Sequence, residues 1–267
     1  MKTRKLSVLT NNARGVFQSS VIRGALEVVG ERGATLTVRE LPNQLAPPAE
    51  VLEAVQDSSG ALVLANVLTE AALTALWETG LPMTLVSHRS ATLAIPAVLH
   101  DNRQGMSQLM GLLAADGRSR PVFVRGNPEQ LDGIERERFY RDELMRHALV
   151  VSEESFIAGG FEPGFAGSSL QAFIAQSVGF DALVSSDYLM ALEALEVLRS
   201  AGYAVPGAVS VVAYGDGPEA EAADLTVVAA DVVELGRRAA RQLLAQLAGQ
   251  RFNGYTLLST KLVRRGT

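Results

Sequence analysis

Short runs of consecutive apolar, β-branched residues alternate along this chain with longer stretches in which apolar side chains return every three or four positions. The short runs predict strands at Leu6–Leu9, Ala34–Glu40, Ala61–Ala65, Met83–Ser87, Val122–Arg125, Ala182–Ser185, Ser210–Tyr214 and Thr226–Ala229. The stretches of helical period predict helices at Phe17–Arg32, Ala49–Gln56, Thr69–Glu78, Arg103–Ala115, Gly133–His147, Ser168–Ser177, Tyr188–Ala201 and Val232–Ala248. Such regular alternation of β and α predicts parallel sheets with helices packed on both faces. The strands are apolar throughout rather than at every second position, which fits burial from both sides.

Two sets of these βα units lie on either side of about residue 115, around the charged, turn-forming stretch Asp116-Gly-Arg-Ser-Arg-Pro121. The expected fold is therefore α/β, with two doubly wound parallel-sheet lobes. In open sheets of this kind ligands bind outside the carboxyl ends of the strands. The loops that follow strands are where function is to be sought.

Composition narrows the field. The chain has 267 residues, 48% of them hydrophobic, enough to bury a full core and to exclude intrinsic disorder. Its 24 basic against 29 acidic side chains leave a net charge of −5. That balance argues against a free-standing nucleic-acid binder, which needs clustered Lys and Arg for the phosphates. Without cysteine there is no disulfide, thiolate nucleophile or Cys-ligated metal. The basic start Met1-Lys-Thr-Arg-Lys5 is not followed by the apolar segment of at least ~7 residues that a signal peptide requires. No stretch approaches the ~18 apolar residues of a membrane span, so the expected location is the cytoplasm.

Catalysis finds little support. Of the three histidines, His147 lies in a helical pattern, and His88 and His100 lie near strand ends, where a hydrogen-bonded structural role is the commoner one. No nucleophile elbow, zinc-protease helix motif or phosphate-binding loop occurs. No catalytic residue, metal ligand or cofactor is expected. The loops after strands are instead rich in amides, carboxylates, guanidiniums and aromatics: Asn11-Asn-Ala-Arg-Gly-Val-Phe-Gln18, Ser87-His-Arg89, His100-Asp-Asn102 and Ser185-Ser-Asp187. This mixture suits a polar, ring-shaped solute covered by aromatic faces and oriented by charged groups. Taken singly, Asp and Asn at such points are more simply helix N-caps.

The segment Phe180-Asp-Ala-Leu-Val-Ser-Ser-Asp-Tyr-Leu-Met-Ala-Leu-Glu-Ala-Leu195, continuing through Gly202-Tyr-Ala-Val-Pro-Gly-Ala-Val-Ser-Val-Val-Ala-Tyr214, resembles the effector-binding core of the LacI/GalR family of bacterial regulators. Val21-Ile-Arg-Gly24, Leu99-His-Asp-Asn102, Glu234-Leu-Gly-Arg-Arg-Ala-Ala240 and Leu257-Leu-Ser-Thr-Lys-Leu-Val263 are similar to further family segments, in the same order. The resemblance implies a type I periplasmic-binding-protein-like fold whose lobes, 1–113 plus 231–249 and 114–230 plus 250–267, are joined by three crossovers. It implies a sensor, not an enzyme, in which a sugar, nucleoside or purine-like molecule closes a cleft between the lobes and alters a homodimer's output.

Matching position by position, the resemblance implies ligand contacts from Phe17 and Gln18 in the first loop, where the polar Asn11 is a further candidate from the loop's own composition, and from Asp101 at the start of the fourth helix. It adds Arg136 of Arg136-Glu-Arg-Phe-Tyr140, Phe161 and Asp187. The family's Gly-Phe/Tyr-Asp-Asp turn reads Ala213-Tyr-Gly-Asp216 here, so Gly215 replaces one aspartate and Asp216 is the candidate that remains. Phe139 stands where the family has glycine. DNA would be reached only through a helix-turn-helix headpiece that these residues do not include, and no membrane partner is implied. Similar cores also serve as input domains of diguanylate cyclases and histidine kinases. A small hydrolase or transferase, and a scaffold whose cleft is filled by Phe139, Phe161 and Phe165, are the other readings.

Overall fold

The computed structural model describes residues 4–150 and 152–267, so the basic start at Met1–Thr3 lies outside it. The described residues form two compact units, 4–100 with 231–258, and 101–150 and 152–230 with 259–267.

In the first unit the strands β1 (Lys5–Thr10), β2 (Thr35–Glu40), β3 (Gly60–Leu64), β4 (Met83–Val86), β5 (Ala97–His100) and β11 (Tyr255–Leu258) form one parallel sheet in the order β11-β5-β4-β3-β1-β2. Leu6, Val8, Leu62, Leu64, Val86 and Val98 point to one face, where α1 (Val16–Glu31) and α9 (Val232–Leu247) cover them. Those two helices touch backbone to backbone. A methyl group on Gly24 would collide with the Val233 carbonyl, and one on Gly236 with the Val21 carbonyl. Helices α2 (Pro48–Val55) and α3 (Glu70–Glu78) bury Val51, Val55, Ala72, Leu73 and Leu76.

The second unit repeats the plan. Strands β6 (Pro121–Val124), β7 (Phe156–Ile157), β8 (Ala182–Ser185), β9 (Ser210–Tyr214), β10 (Thr226–Ala229) and β12 (Lys261–Val263) run in the order β12-β10-β9-β8-β6-β7. All pairings are parallel except β10 with β12. One face packs against α4 (Asn102–Ala115) and α5 (Leu131–Arg146) through Met106, Leu109, Phe139, Tyr140 and Leu144. The other packs against α6 (Phe165–Ala175), α7 (Tyr188–Ser200) and the short α8 (Pro218–Ala222).

Two expected boundaries move. The resemblance puts α4 largely in the first lobe, which it ends at residue 113, yet Met106, Leu109, Met110 and Leu113 bury against Phe123, Val184, Val212 and Val228 of the second sheet. The division therefore falls at His100/Asp101, and the turn is an internal αβ connection of the second unit. The last boundary lies after Leu258 rather than near 249, because β11 extends the first sheet beside β5. Strands β5, β7, β11 and β12 are additions to the predicted set. They are two to four residues long, and β11 and β12 are half-exposed edges without a continuous apolar run.

Each sheet has its change of winding direction beside its first strand, between β1 and β3 in one and between β6 and β8 in the other. Ligands of doubly wound sheets bind at the carboxyl ends of such strands.

Candidate functional site

At the carboxyl end of the second sheet the side chains gather around Arg136. Its position on α5 turns it inward, and only 8% of it is exposed. Its Nε donates to Asn102 Oδ1 at 3.0 Å and its Nη1 to the Ser186 carbonyl at 2.9 Å. Its Nη2 is 3.5 Å from Asp132 Oδ1, and the guanidinium carbon lies 3.8 Å from the centre of the Tyr214 ring. Asn102 in turn donates to Asp132 at 2.9 Å and to Glu135 at 3.0 Å. A planar cation stacked on an aromatic face and held by three partners is fixed in position. The hydroxyls of Ser185, Ser186 and Tyr214 are buried here and have no hydrogen-bond partner among the described residues. Burial pushes the Tyr214 hydroxyl well above the usual phenol range, against the pull of the Arg136 charge.

The aspartates beside this group are helix caps. Asp187 Oδ1 accepts from the Met190 N–H at 2.8 Å and starts α7, and Asp101 Oδ1 accepts from the Gln104 N–H at 2.9 Å and starts α4. Burial raises the Asp187 carboxyl above its ordinary value, although the Met190 N–H and the Arg136 charge work the other way. The capping alternative thus holds for both. Each still has one oxygen not used by its cap hydrogen bond.

Phe161 has φ +61°, a left-handed conformation unusual for an aromatic residue, and its ring occupies the space a side chain at Gly126 would need. It also packs against the core beneath α6 and α7. Asp216 departs from its expected role. Both its oxygens are taken by Arg265, at 3.0 and 2.8 Å, and Arg265 also donates to the Leu225 carbonyl. Its carboxylate ties down the segment after β12. The open space left by Gly215, at φ +86°, and by Gly217 is filled by the ring of Tyr188. Phe139 belongs to the core between α4, α5 and the sheet, and Phe165 is 46% exposed.

In the first unit Asn11 and Gln18 meet, with Gln18 Nε2 donating to Asn11 Oδ1 at 3.4 Å, while Phe17 leans on the core of α1 and α9. Asn12 shapes the turn, accepting from the N–H groups of Arg14 and Gly15. After β4, Ser87 adopts φ +50°, and its hydroxyl and the His88 Nε2 are buried without partners among the described residues. Burial holds the His88 pKa down, with nearby Glu70 opposing more weakly. Burial alone would raise Glu70. Hydrogen bonds from the Ala91 N–H and from the Ser90 and Thr92 hydroxyls outweigh it and hold the carboxyl below its ordinary value.

The sequence reading missed Asn102, Asp132, Ser186 and Tyr214 as members of the Arg136 group. Asn102 and Ser186 adjoin the two capping aspartates and could have been taken with them. The Tyr214 stacking joins α5 to β9, which no local spacing reveals. Among the described residues no cluster of His, Asp and Glu could hold a metal ion, and no helix is long and apolar enough to cross a membrane.

The periplasmic binding protein-like domain family matches residues 110–267. The HTH-type transcriptional regulator AscG of Escherichia coli is 27% identical over 187 residues, 69% of this chain and 55% of its own length. The HTH-type transcriptional regulator CelR of Thermobifida fusca is 30% identical over 152 residues, 56% of this chain and 45% of its own. The chain thus spans about half the length of these relatives. The structure of a transcriptional regulator CelR–cellobiose complex superposes with a TM-score of 0.86 at 24% identity, over 100% of this chain and 86% of that one, a likeness of fold.

Proposed function

The chain belongs to the periplasmic binding protein-like domain family and corresponds to the effector-binding core of LacI-type regulators, and from that premise we propose that it is a non-enzymatic sensor of a small polar effector. The observation that carries the reading is the buried Arg136 group at the carboxyl end of β8 and β9. It offers a fixed guanidinium beside unpartnered hydroxyls of Ser185, Ser186 and Tyr214. A buried hydroxyl without a partner costs about 1–3 kcal/mol, which a hydroxylated ligand can recover.

The effector is a neutral sugar, nucleoside or purine-like ring. Within the second unit its contacts are Arg136, Asp187, Asp101 and Phe161, beside the hydroxyls of Ser185, Ser186 and Tyr214. An effector acts by binding one arrangement of the protein more tightly than another. The output is that of a homodimer in the cytoplasm, read by DNA through a helix-turn-helix headpiece. A second reading, a scaffold without ligand, draws on Asp216 being tied to Arg265 and on Tyr188 filling the space beside Gly215.

A thermal-shift series with sugars, nucleosides, purines and sugar phosphates tests this. A ligand at about 100 times its Kd stabilises by about 2.7 kcal/mol, or roughly 5–10 °C for a chain near this size. The sensor reading expects one neutral class to raise the midpoint and Ser186→Ala to diminish that rise. No shift from any class supports the scaffold instead.

A further inference from the structure

Far along the chain from the Arg136 group, one dipeptide joins reactive chemistry to an open position. Asn253-Gly254 lies in the connection between α9 and β11, and no other asparagine in the chain precedes glycine. Both residues are exposed. The Asn253 side chain makes no hydrogen bond among the described residues. Gly254 adopts φ +75°, in the left-handed region that glycine enters freely, and a side chain there would meet nothing within 4 Å.

The other asparagines are placed differently. Asn12 Oδ1 accepts from the N–H groups of Arg14 and Gly15, and Asn102 is held by Arg136, Asp132 and Glu135. Asn66 is buried. Asn127 precedes a proline, which has no N–H. Asn11 and Asn43 precede Asn12 and Gln44, whose side chains crowd the backbone nitrogen that glycine leaves open.

The position also matters to the sheet. Gly254 is the last residue before β11, and its carbonyl accepts from the Ala97 N–H at 3.2 Å, the first rung joining β11 to β5. β11 is an edge strand paired with β5 alone.

We propose that Asn253 is a site of intramolecular covalent modification, becoming aspartate and isoaspartate and so loosening the start of β11. The Gly254 backbone nitrogen, its proton lost to hydroxide, attacks Asn253 Cγ. A carbon–nitrogen bond forms and the side-chain amide leaves as ammonia, closing a succinimide ring. Water then opens the ring. Opening at Cγ leaves the ordinary backbone with an aspartate. Opening at the Asn253 backbone carbonyl gives isoaspartate, whose main chain runs through Cβ and Cγ. One ammonia leaves and one water enters, with no change of oxidation state. Both products bring a negative charge to this connection. Isoaspartate also adds one carbon to the main chain, which displaces the Gly254 carbonyl from the Ala97 N–H. The site does not depend on the effector reading above.

The test is timed incubation of the whole folded chain in mildly alkaline buffer, then trypsin digestion and mass spectrometry. Cleavage after Arg251 and Lys261 releases Phe252–Lys261, in which Asn253 is the sole side-chain amide. The expected result is a gain of one mass unit in that peptide, growing with time, with isoaspartate the larger product. Hydrogen exchange at Tyr255–Leu258 is faster in the converted chain. Asn253→Gln, a change at an exposed side chain, loses the gain because its ring would need a sixth member. Gly254→Ala slows it severalfold. Incubation in denaturant supplies the rate of the unrestrained chain. A peptide that converts in denaturant but not in the folded chain overturns the proposal. So does aspartate without isoaspartate, a rate unchanged in Gly254→Ala, or unaltered exchange at β11.

Discussion

In the second unit the carboxyl edge of the sheet is organised around one buried guanidinium, that of Arg136, held by Asn102, Ser186 and Asp132 and stacked on Tyr214. In the first unit the same edge carries Asn11 and Gln18, joined by a single 3.4 Å hydrogen bond near solvent, and a loop from Ser87 to Thr92 pinned by Glu70. One edge is preformed, its polar groups fixed by each other before any ligand arrives. The other can adjust. Preformed groups lose little freedom on binding and so dominate orientation and selectivity, whereas adjustable ones follow the ligand.

The largest break in this comparison should come from Arg136→Met. It takes the donor from Asn102 Oδ1 and the Ser186 carbonyl and leaves Asp132 only its bond from Asn102, and removing one member of a buried pair costs about 3–5 kcal/mol. Asn11→Ala at the other edge should stay within about 0.5 kcal/mol. Chemical denaturation of the two variants measures the contrast, and equal losses would dissolve it. Next comes Gly24→Ala, expected to cost about 3 kcal/mol because the new methyl meets the backbone of Val233, which cannot swing aside. That result would locate the first unit's rigidity in the α1–α9 contact rather than at its loop edge.

Acidification sharpens the comparison further. The folded-state pKa of His88 lies below its ordinary value of 6.5, so the unfolded chain takes up that proton first and stability declines as pH falls below about 6.5. Glu70 is likewise held below its ordinary 4.5, and its contribution is lost at still lower pH, as pH falls through its folded value. Asp187 has the opposite sign: its raised carboxyl makes ionisation unfavourable to the fold, so its penalty is relieved as pH falls. Hydrogen exchange between pH 7 and 5 should show the first unit loosening before the second. His88→Gln should flatten the upper part of that change.

Much of the architecture was legible because strands buried on both faces leave unbroken apolar runs. Ala182–Ser185, Ser210–Tyr214 and Thr226–Ala229 coincide with β8, β9 and β10. The ownership of α4 was not legible, since sequence places it after β5 while its apolar face, from Met106 to Leu113, is matched to the second sheet. The site was legible in part. Arg136 and Asp187 come together, but the tying of Asp216 by Arg265 depends on the antiparallel return of β12, which no short-range pattern announces. The smallest expected loss of stability is in Ser186→Ala, because the hydroxyl it removes has no partner to lose.

That variant also gives the most direct measurement of the central claim. Calorimetric titration of the neutral effector identified by thermal shift should be run on the unaltered chain and on Ser186→Ala. The account predicts an unliganded chain no less stable than the unaltered one and an affinity reduced by about tenfold. An unchanged affinity would contradict a site at the carboxyl edge of the second unit.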